Sequence, residues 1–180
     1  MKIKPADIIL TADKKSWFSK AILVVLNFFQ KDEVKYQHVM MAVDDELCIE
    51  ALNKITVNIS RERMRDFRRF KIIRNRNLTD QQRMDIVARA LDMKGFRYGY
   101  IRLFLQLLDQ TFQTDYFTKR IKDPDYQICS SLVAWCYGVE AGIKFNGVNW
   151  AATEPDDFDD ESLKNTEDWY TVVEWEKYDV

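Results

Sequence analysis

Residues 36–52 read Tyr36-Gln37-His38-Val39-Met40-Met41-Ala42-Val43, then Asp44-Asp45-Glu46, then Leu47-Cys48-Ile49-Glu50-Ala51-Leu52. The first and third runs lean toward strand, and the acidic triplet between them suits a turn, so the segment predicts an antiparallel hairpin. It carries the only histidine of the chain, His38, the side chain whose ordinary pKa lies nearest neutrality. The length of the turn decides what His38 faces. A two-residue turn at Asp44-Asp45 sets His38 opposite Ala51 with Glu50 turned away, whereas an odd-length loop sets Glu50 opposite His38. A carboxylate flanked by apolar residues either has a buried partner or lies at a solvated sheet edge.

Working outward, Ile8-Ile9-Leu10 after Pro5-Ala6-Asp7 predicts a short buried strand, and Ser16 is placed to cap a helix over Trp17 to Phe29. Lys54 to Ile59 and Phe70 to Ile73 read as further strands. Thr79, with Gln82 three residues on, forms a capping-box signature for a helix through Met93 that stops at Gly95. Tyr98 to Gln110 is apolar at helical spacing, and Cys129 to Ala141, closed by Gly142, predicts another helix. Asn149 to Phe158 reads as loop and turn, followed by an acidic linker and a last strand, Trp169 to Trp175. Early strands followed by helices give an α+β class, a small antiparallel sheet with helices packed on it.

The 180 residues predict one domain spanning 1–180. A hydrophobic share of 47% with a net charge of −2 excludes a disordered chain. The basic run Arg61, Arg63, Arg65, Arg68, Arg69, Lys71, Arg74 and Arg76 lacks interleaved aromatics, so it reads as a solvated face and no nucleic-acid partner is expected. Glu154 to Asp168 is acidic, which predicts a dipolar surface. The most apolar window, Ala21 to Phe29, falls short of the ~20 residues a membrane span needs, and no export signal is visible at Met1 to Leu10. A cytoplasmic setting is the expectation.

Three cysteines, Cys48, Cys129 and Cys136, are an odd count at irregular spacing, which argues against a disulfide framework and a zinc site; no cofactor or metal is expected. Cys129 differs from the other two because it opens a predicted helix, where free N–H groups and the helix dipole stabilise a thiolate. Cys48 and Cys136 read as small buried hydrophobes.

Pro5-Ala6-Asp7-Ile8-Ile9-Leu10, Ser19-Lys20-Ala21-Ile22, Tyr36-Gln37-His38-Val39, Ile49-Glu50-Ala51, Leu78-Thr79, Gly95-Phe96-Arg97-Tyr98 and Ile128-Cys129-Ser130-Ser131-Leu132-Val133 occur in an order that resembles the permuted NlpC-type papain-like hydrolases, the YiiX-like group. The resemblance covers most of the chain. It implies a circularly permuted papain-like fold with Cys129 as nucleophile, His38 as general base and Glu50 orienting His38. It further implies acyl chemistry through a thioester on Cys129, with helix-start N–H groups binding the oxyanion. Ala6 stands where such relatives have glycine, Gln37 where they have serine and Ser131 where they have glutamate. Asp7 lies near the cleft in such relatives, although the sequence alone reads it as a turn cap, and Tyr98 is either a pocket wall or aromatic core.

The expected activity is that of a cysteine hydrolase of amidase or peptidase type. The alternatives are a lipid acyltransferase or esterase, related to the lecithin:retinol acyltransferase-like group, and a silent module that binds a peptide or lipid. The expected partner is a peptide, amide or acyl-lipid substrate, and the oligomeric state is open. A cell-wall target would require host lysis or delivery in a viral particle.

Overall fold

In the computed structural model the described residues are 2–12, 35–99, 112, 114, 116 and 127–176. The predicted helix over Trp17 to Phe29 and most of the one over Tyr98 to Gln110 lie outside them. The strands are β1 (Ile8–Ala12), β2 (His38–Ala42), β3 (Leu47–Ala51), β4 (Ile55–Ile59), β5 (Arg69–Asn75) and β6 (Trp169–Glu176). They form one six-stranded sheet in the order β4-β3-β2-β1-β5-β6, with every neighbouring pair antiparallel. Among the described residues four helices accompany it: α1 (Ser60–Arg65), α2 (Asp80–Asp92), α3 (Cys129–Ala141) and α4 (Pro155–Lys164). The α+β class therefore holds among the described residues, and none of their helices is long and apolar enough to cross a membrane.

The alternation of side chains along each strand splits the core into two layers. Ile8, Leu10, Val39, Met41, Ile49 and Ile73 pack with α2, α3 and Phe158 of α4. Ile9, Met40, Ala42, Cys48 and Ile72 point to the other face, where Met64 of α1 and Phe67 cover them. Burying these side chains removes them from water, the main favourable contribution to folding.

The capping box of α2 forms as the sequence predicts: Gln82 N–H donates to Thr79 Oγ1 at 3.2 Å and Thr79 N–H donates to Gln82 Oε1 at 3.0 Å. Helix α3 spans Cys129–Ala141 and ends at Gly142, whose φ of 67° is the left-handed conformation of a helix stop.

The acidic linker is instead helix α4. Pro155 fits its first turn, Glu154 N–H donates to Asp157 Oδ2 at 2.7 Å, and acidic residues in that turn favour the helix dipole. Asp159 on its inner face meets Lys71 Nζ at 2.5 Å, a fully enclosed pair. The expected dipolar surface is thus partly consumed by pairing between its two halves. Arg69 pairs with Glu176 of β6 in a partly exposed contact, and Arg76 lies 4.4 Å from the centre of the Tyr170 ring.

Asp7 performs the turn role and more. Its Oδ2 accepts Lys4 N–H at 2.8 Å, and Arg74 grips it through Nε (2.7 Å) and Nη2 (2.6 Å). Asp7 is wholly buried, so its carboxylate depends on that guanidinium and on Arg83, whose Nη1 lies 3.8 Å from Oδ1. Ala6, at the expected glycine position, adopts φ 60°, and its carbonyl accepts the hydroxyl of Tyr137 from α3. Replacing Asp7 by Asn should lower folding stability by about 3–5 kcal/mol, because Arg74 is left without its counter-charge; urea unfolding at pH 7 measures it.

Candidate active site

Val43 and Leu47 close the turn between β2 and β3 around three residues, Asp44-Asp45-Glu46, an odd length. Val43 N–H donates to Leu47 O at 2.8 Å, and Asp44 Oδ1 accepts the N–H groups of Glu46 (2.8 Å) and Leu47 (2.7 Å). Met41 then stands opposite Ile49 and Ala42 opposite Cys48. Continuing that count sets Glu50 opposite Met40, so Glu50 is diagonal to His38 and shares its face, where the sequence reading of an odd loop set the two directly opposite. Long side chains reach across a diagonal, and Glu50 Oε2 lies 2.7 Å from His38 Nε2.

The ladder between β2 and β3 stops after Met41 and Ile49. Hydrogen-bonding direction alternates along a strand, and Val43 N–H points to β3, so Val39 N–H points there too. With the ladder ended there, the N–H groups of Val39 and Ser130 act on the Cys129 thiol and favour its charged form. The parting therefore provides a socket where the start of α3 meets the start of β2. The approach of β2 is fixed from α4, since Asp156 accepts the N–H groups of Lys35 (3.1 Å) and Tyr36 (2.8 Å). On the other side, Ser131 Oγ accepts Ile128 N–H at 3.0 Å and donates to Gln127 Oε1 at 2.6 Å, closing the first turn of α3.

His38 and Cys129 lie close enough for each to shift the other's charge state. Burial pushes the Cys129 thiol up, but the facing imidazole and the two N–H groups outweigh it and hold the thiol below its ordinary value. Burial likewise pushes His38 down, yet Cys129 and then Glu50 carry it up to about 9. The two shifts together favour a thiolate beside an imidazolium. Nε2 is engaged by Glu50, which leaves Nδ1 for the sulfur. By contrast, burial and the Glu50 charge push Cys48 up to about 11, and burial drives Cys136 far upward. Among three buried cysteines, only Cys129 is pushed toward its charged form.

Glu50 is fully buried and takes more partners than the sequence reading supplied. Arg63 Nε bonds Oε1 and Arg63 Nη2 bonds Oε2 at 2.9 Å, while Asn58 Nδ2 donates to Oε1 at 2.8 Å. Burial pushes the carboxyl up, but the bonds from His38 and Arg63 bring it down to about 2. Arg63 Nη1 also meets Asp66 at 2.6 Å. Phe67 stacks on His38, with ring centres 6.2 Å apart and an interplanar angle of 13°.

Sequence reasoning missed Arg63, which it placed in a solvated basic face, and Asn58. The signal was present in the lone carboxylate of β3, which requires a cation if buried, and in the basic segment that follows the next strand. Tyr98 is half-buried against the same core layer as Cys129. Its neighbour Gly99 N–H donates to Gln127 O at 2.9 Å, tying that segment to the start of α3.

These elements define an antiparallel α+β fold that sets a helix-start cysteine against a strand histidine and a buried carboxylate. The fold is similar to that of the metalloprotein yiiX from Escherichia coli O157:H7, at a TM-score of 0.58 and 19% identity over 96% of this chain and 89% of that one. No protein-family model and no curated protein matches the chain.

The depressed Glu50 has a consequence for stability. Its folded-state value lies below that of the unfolded chain, so its contribution is complete above about pH 4.5 and is lost as the pH falls toward 2. Wild-type protein should lose roughly 3 kcal/mol across that interval from this group, and Glu50→Gln should flatten the loss in urea unfolding measured at pH 3 and pH 6.

Proposed function

We propose that this protein is a cysteine hydrolase of amidase or peptidase type with a circularly permuted papain-like architecture. The observation that carries the reading is the Cys129 sulfur at a helix start, paired with His38, which Glu50 holds through its far nitrogen.

In the proposed reaction the Cys129 thiolate attacks the carbonyl carbon of an amide or related acyl bond, and the carbonyl electron pair moves onto oxygen. The N–H groups at the start of α3 have no partner within the helix, and that of Cys129 is the donor assigned to this oxyanion. The tetrahedral adduct collapses as His38 gives its Nδ1 proton to the leaving nitrogen, which leaves a thioester on Cys129. Neutral His38 then takes a proton from water, whose oxygen attacks the thioester, and the thiolate departs. His38 acts first as acid and then as base, a refinement of the base role, because its ground state already holds the proton.

The yiiX protein is described as a metalloprotein, but the donor set here does not fit a metal ion. Among the described residues no group of three or more His, Cys, Asp or Glu side chains could hold an ion. Glu50 has both oxygens engaged and His38 has Nε2 engaged. No step is routed through a metal.

Iodoacetamide at pH 7 should modify Cys129 well before Cys48 and Cys136, and His38→Ala should slow it; equal labelling of all three cysteines defeats the reading. Turnover of small amide substrates should fall about a thousandfold or more in Cys129→Ala and His38→Ala, and should decline above about pH 9 as His38 loses its proton. Cys129 alkylation should show no such decline, because a free thiolate remains. Preference for short-chain esters over amides would favour the lipid esterase alternative, and silence on both with labelling retained would favour a binding module.

A further inference from the structure

Arg63 stands one step beyond the catalytic trio, and its geometry exceeds what a surface cation requires. It approaches Glu50 in the two-pronged manner that fits a planar guanidinium to a carboxylate, Nε to one oxygen and Nη2 to the other. Its side chain is 13% exposed and that of Glu50 is 0% exposed. The third edge of the guanidinium is held by Asp66, and its carbon lies 5.7 Å from the centre of the Phe67 ring, the ring that stacks on His38. Arg63 in the last turn of α1 and Phe67 just beyond its end thus close on the carboxylate and the imidazole together.

We propose that Arg63 is a positioning residue that keeps Glu50 ionised and fixed in one orientation, so that His38 is held with Nδ1 toward Cys129 under acidic as well as neutral conditions. The inference rests on the cysteine-hydrolase reading of the same site.

Among the described residues, the groups around Glu50 leave no substitute for Arg63. His38 faces it from β2, the Cys48 thiol lies beside it on β3, and Asn58 and Thr56 of β4 are neutral. Asp66, the remaining charge, is negative and reaches Glu50 only through Arg63. Without the guanidinium, a wholly buried carboxylate retains one cation, His38, which already serves Cys129. Glu50 then takes a proton at an ordinary acidic pH, and the imidazole loses the acceptor that orients it.

His38 is the only histidine, so its ring signals in NMR report the site without ambiguity. In wild-type protein those signals should show no inflection from Glu50 between pH 4 and pH 7. Arg63→Met should introduce one at or above about pH 4.5, about a hundredfold gain in proton affinity of the carboxylate. The added substitution Glu50→Gln should erase it. Across that inflection Cys129 alkylation should slow as the anchor is lost, while the His38 titration near pH 9 should not move down.

Arg63→Lys keeps the charge but not the fork, and should place the inflection between those of wild type and Arg63→Met; if Arg63→Met does not fold, this variant carries the test. A His38 titration in the folded variants that tracks wild type from pH 4 upward overturns the proposal, as does a uniform loss of alkylation at all pH values. Slow alkylation of wild-type Cys129 defeats the hydrolase reading instead, whatever the His38 signals show.

Discussion

The site depends on the parting of β2 from β3. A ladder that continued past Met41 would occupy Val39 N–H with the backbone of β3 and would leave the start of α3 nothing to join. Because the strands separate, a backbone donor is freed at the point where the helix begins. The sulfur can occupy that point while the imidazole stands on the face covered by α1 and Phe67. The two core layers therefore share one junction. Helix α3 contributes the thiol from one side, and the His38–Glu50 diagonal closes it from the other.

Most of the framework was legible because it rests on local signals. The strand cores of β1 to β5, the Thr79 capping box and the Cys129–Ala141 helix follow from apolar runs, caps and a glycine stop, which act within a few residues. Helix α4 was misread because its acidic residues resemble a solvated linker, and only the long-range pairing of Asp159 with Lys71 shows that one face turns inward. The diagonal placement of Glu50 was also hidden. Turn length gives the parity of the hairpin, which was anticipated, but the offset depends on which carbonyl closes the loop. The role of Arg63 lay beyond reach for the same reason, since it depends on how α1 folds back from β4 onto a strand thirteen residues earlier in the chain.

Charge in this protein is organised by enclosure more than by surface display. Asp7 with Arg74, Lys71 with Asp159, and Glu50 with Arg63 each place a carboxylate and a cation where water is scarce. Such pairs add little net stability relative to apolar substitutes, yet removing one member is costly, so they act as constraints on arrangement. Three cations of the basic run are committed in this way. Its density in sequence therefore says less about a partner than about the carboxylates it must neutralise.

From Cys129 through His38, Glu50 and Arg63 to Asp66 the charges favoured by the shifts alternate in sign at each contact. An alternating row has a field that fades within a short distance, because each charge is cancelled by its neighbour. A thiolate held in this row is less open to mobile counter-ions than a lone surface anion, since every member but Asp66 is largely enclosed and the contacts are shorter than the Debye length of about 8 Å at physiological ionic strength. The chemistry of the sulfur is thereby insulated from salt, and the environment that tunes it is carried within the fold.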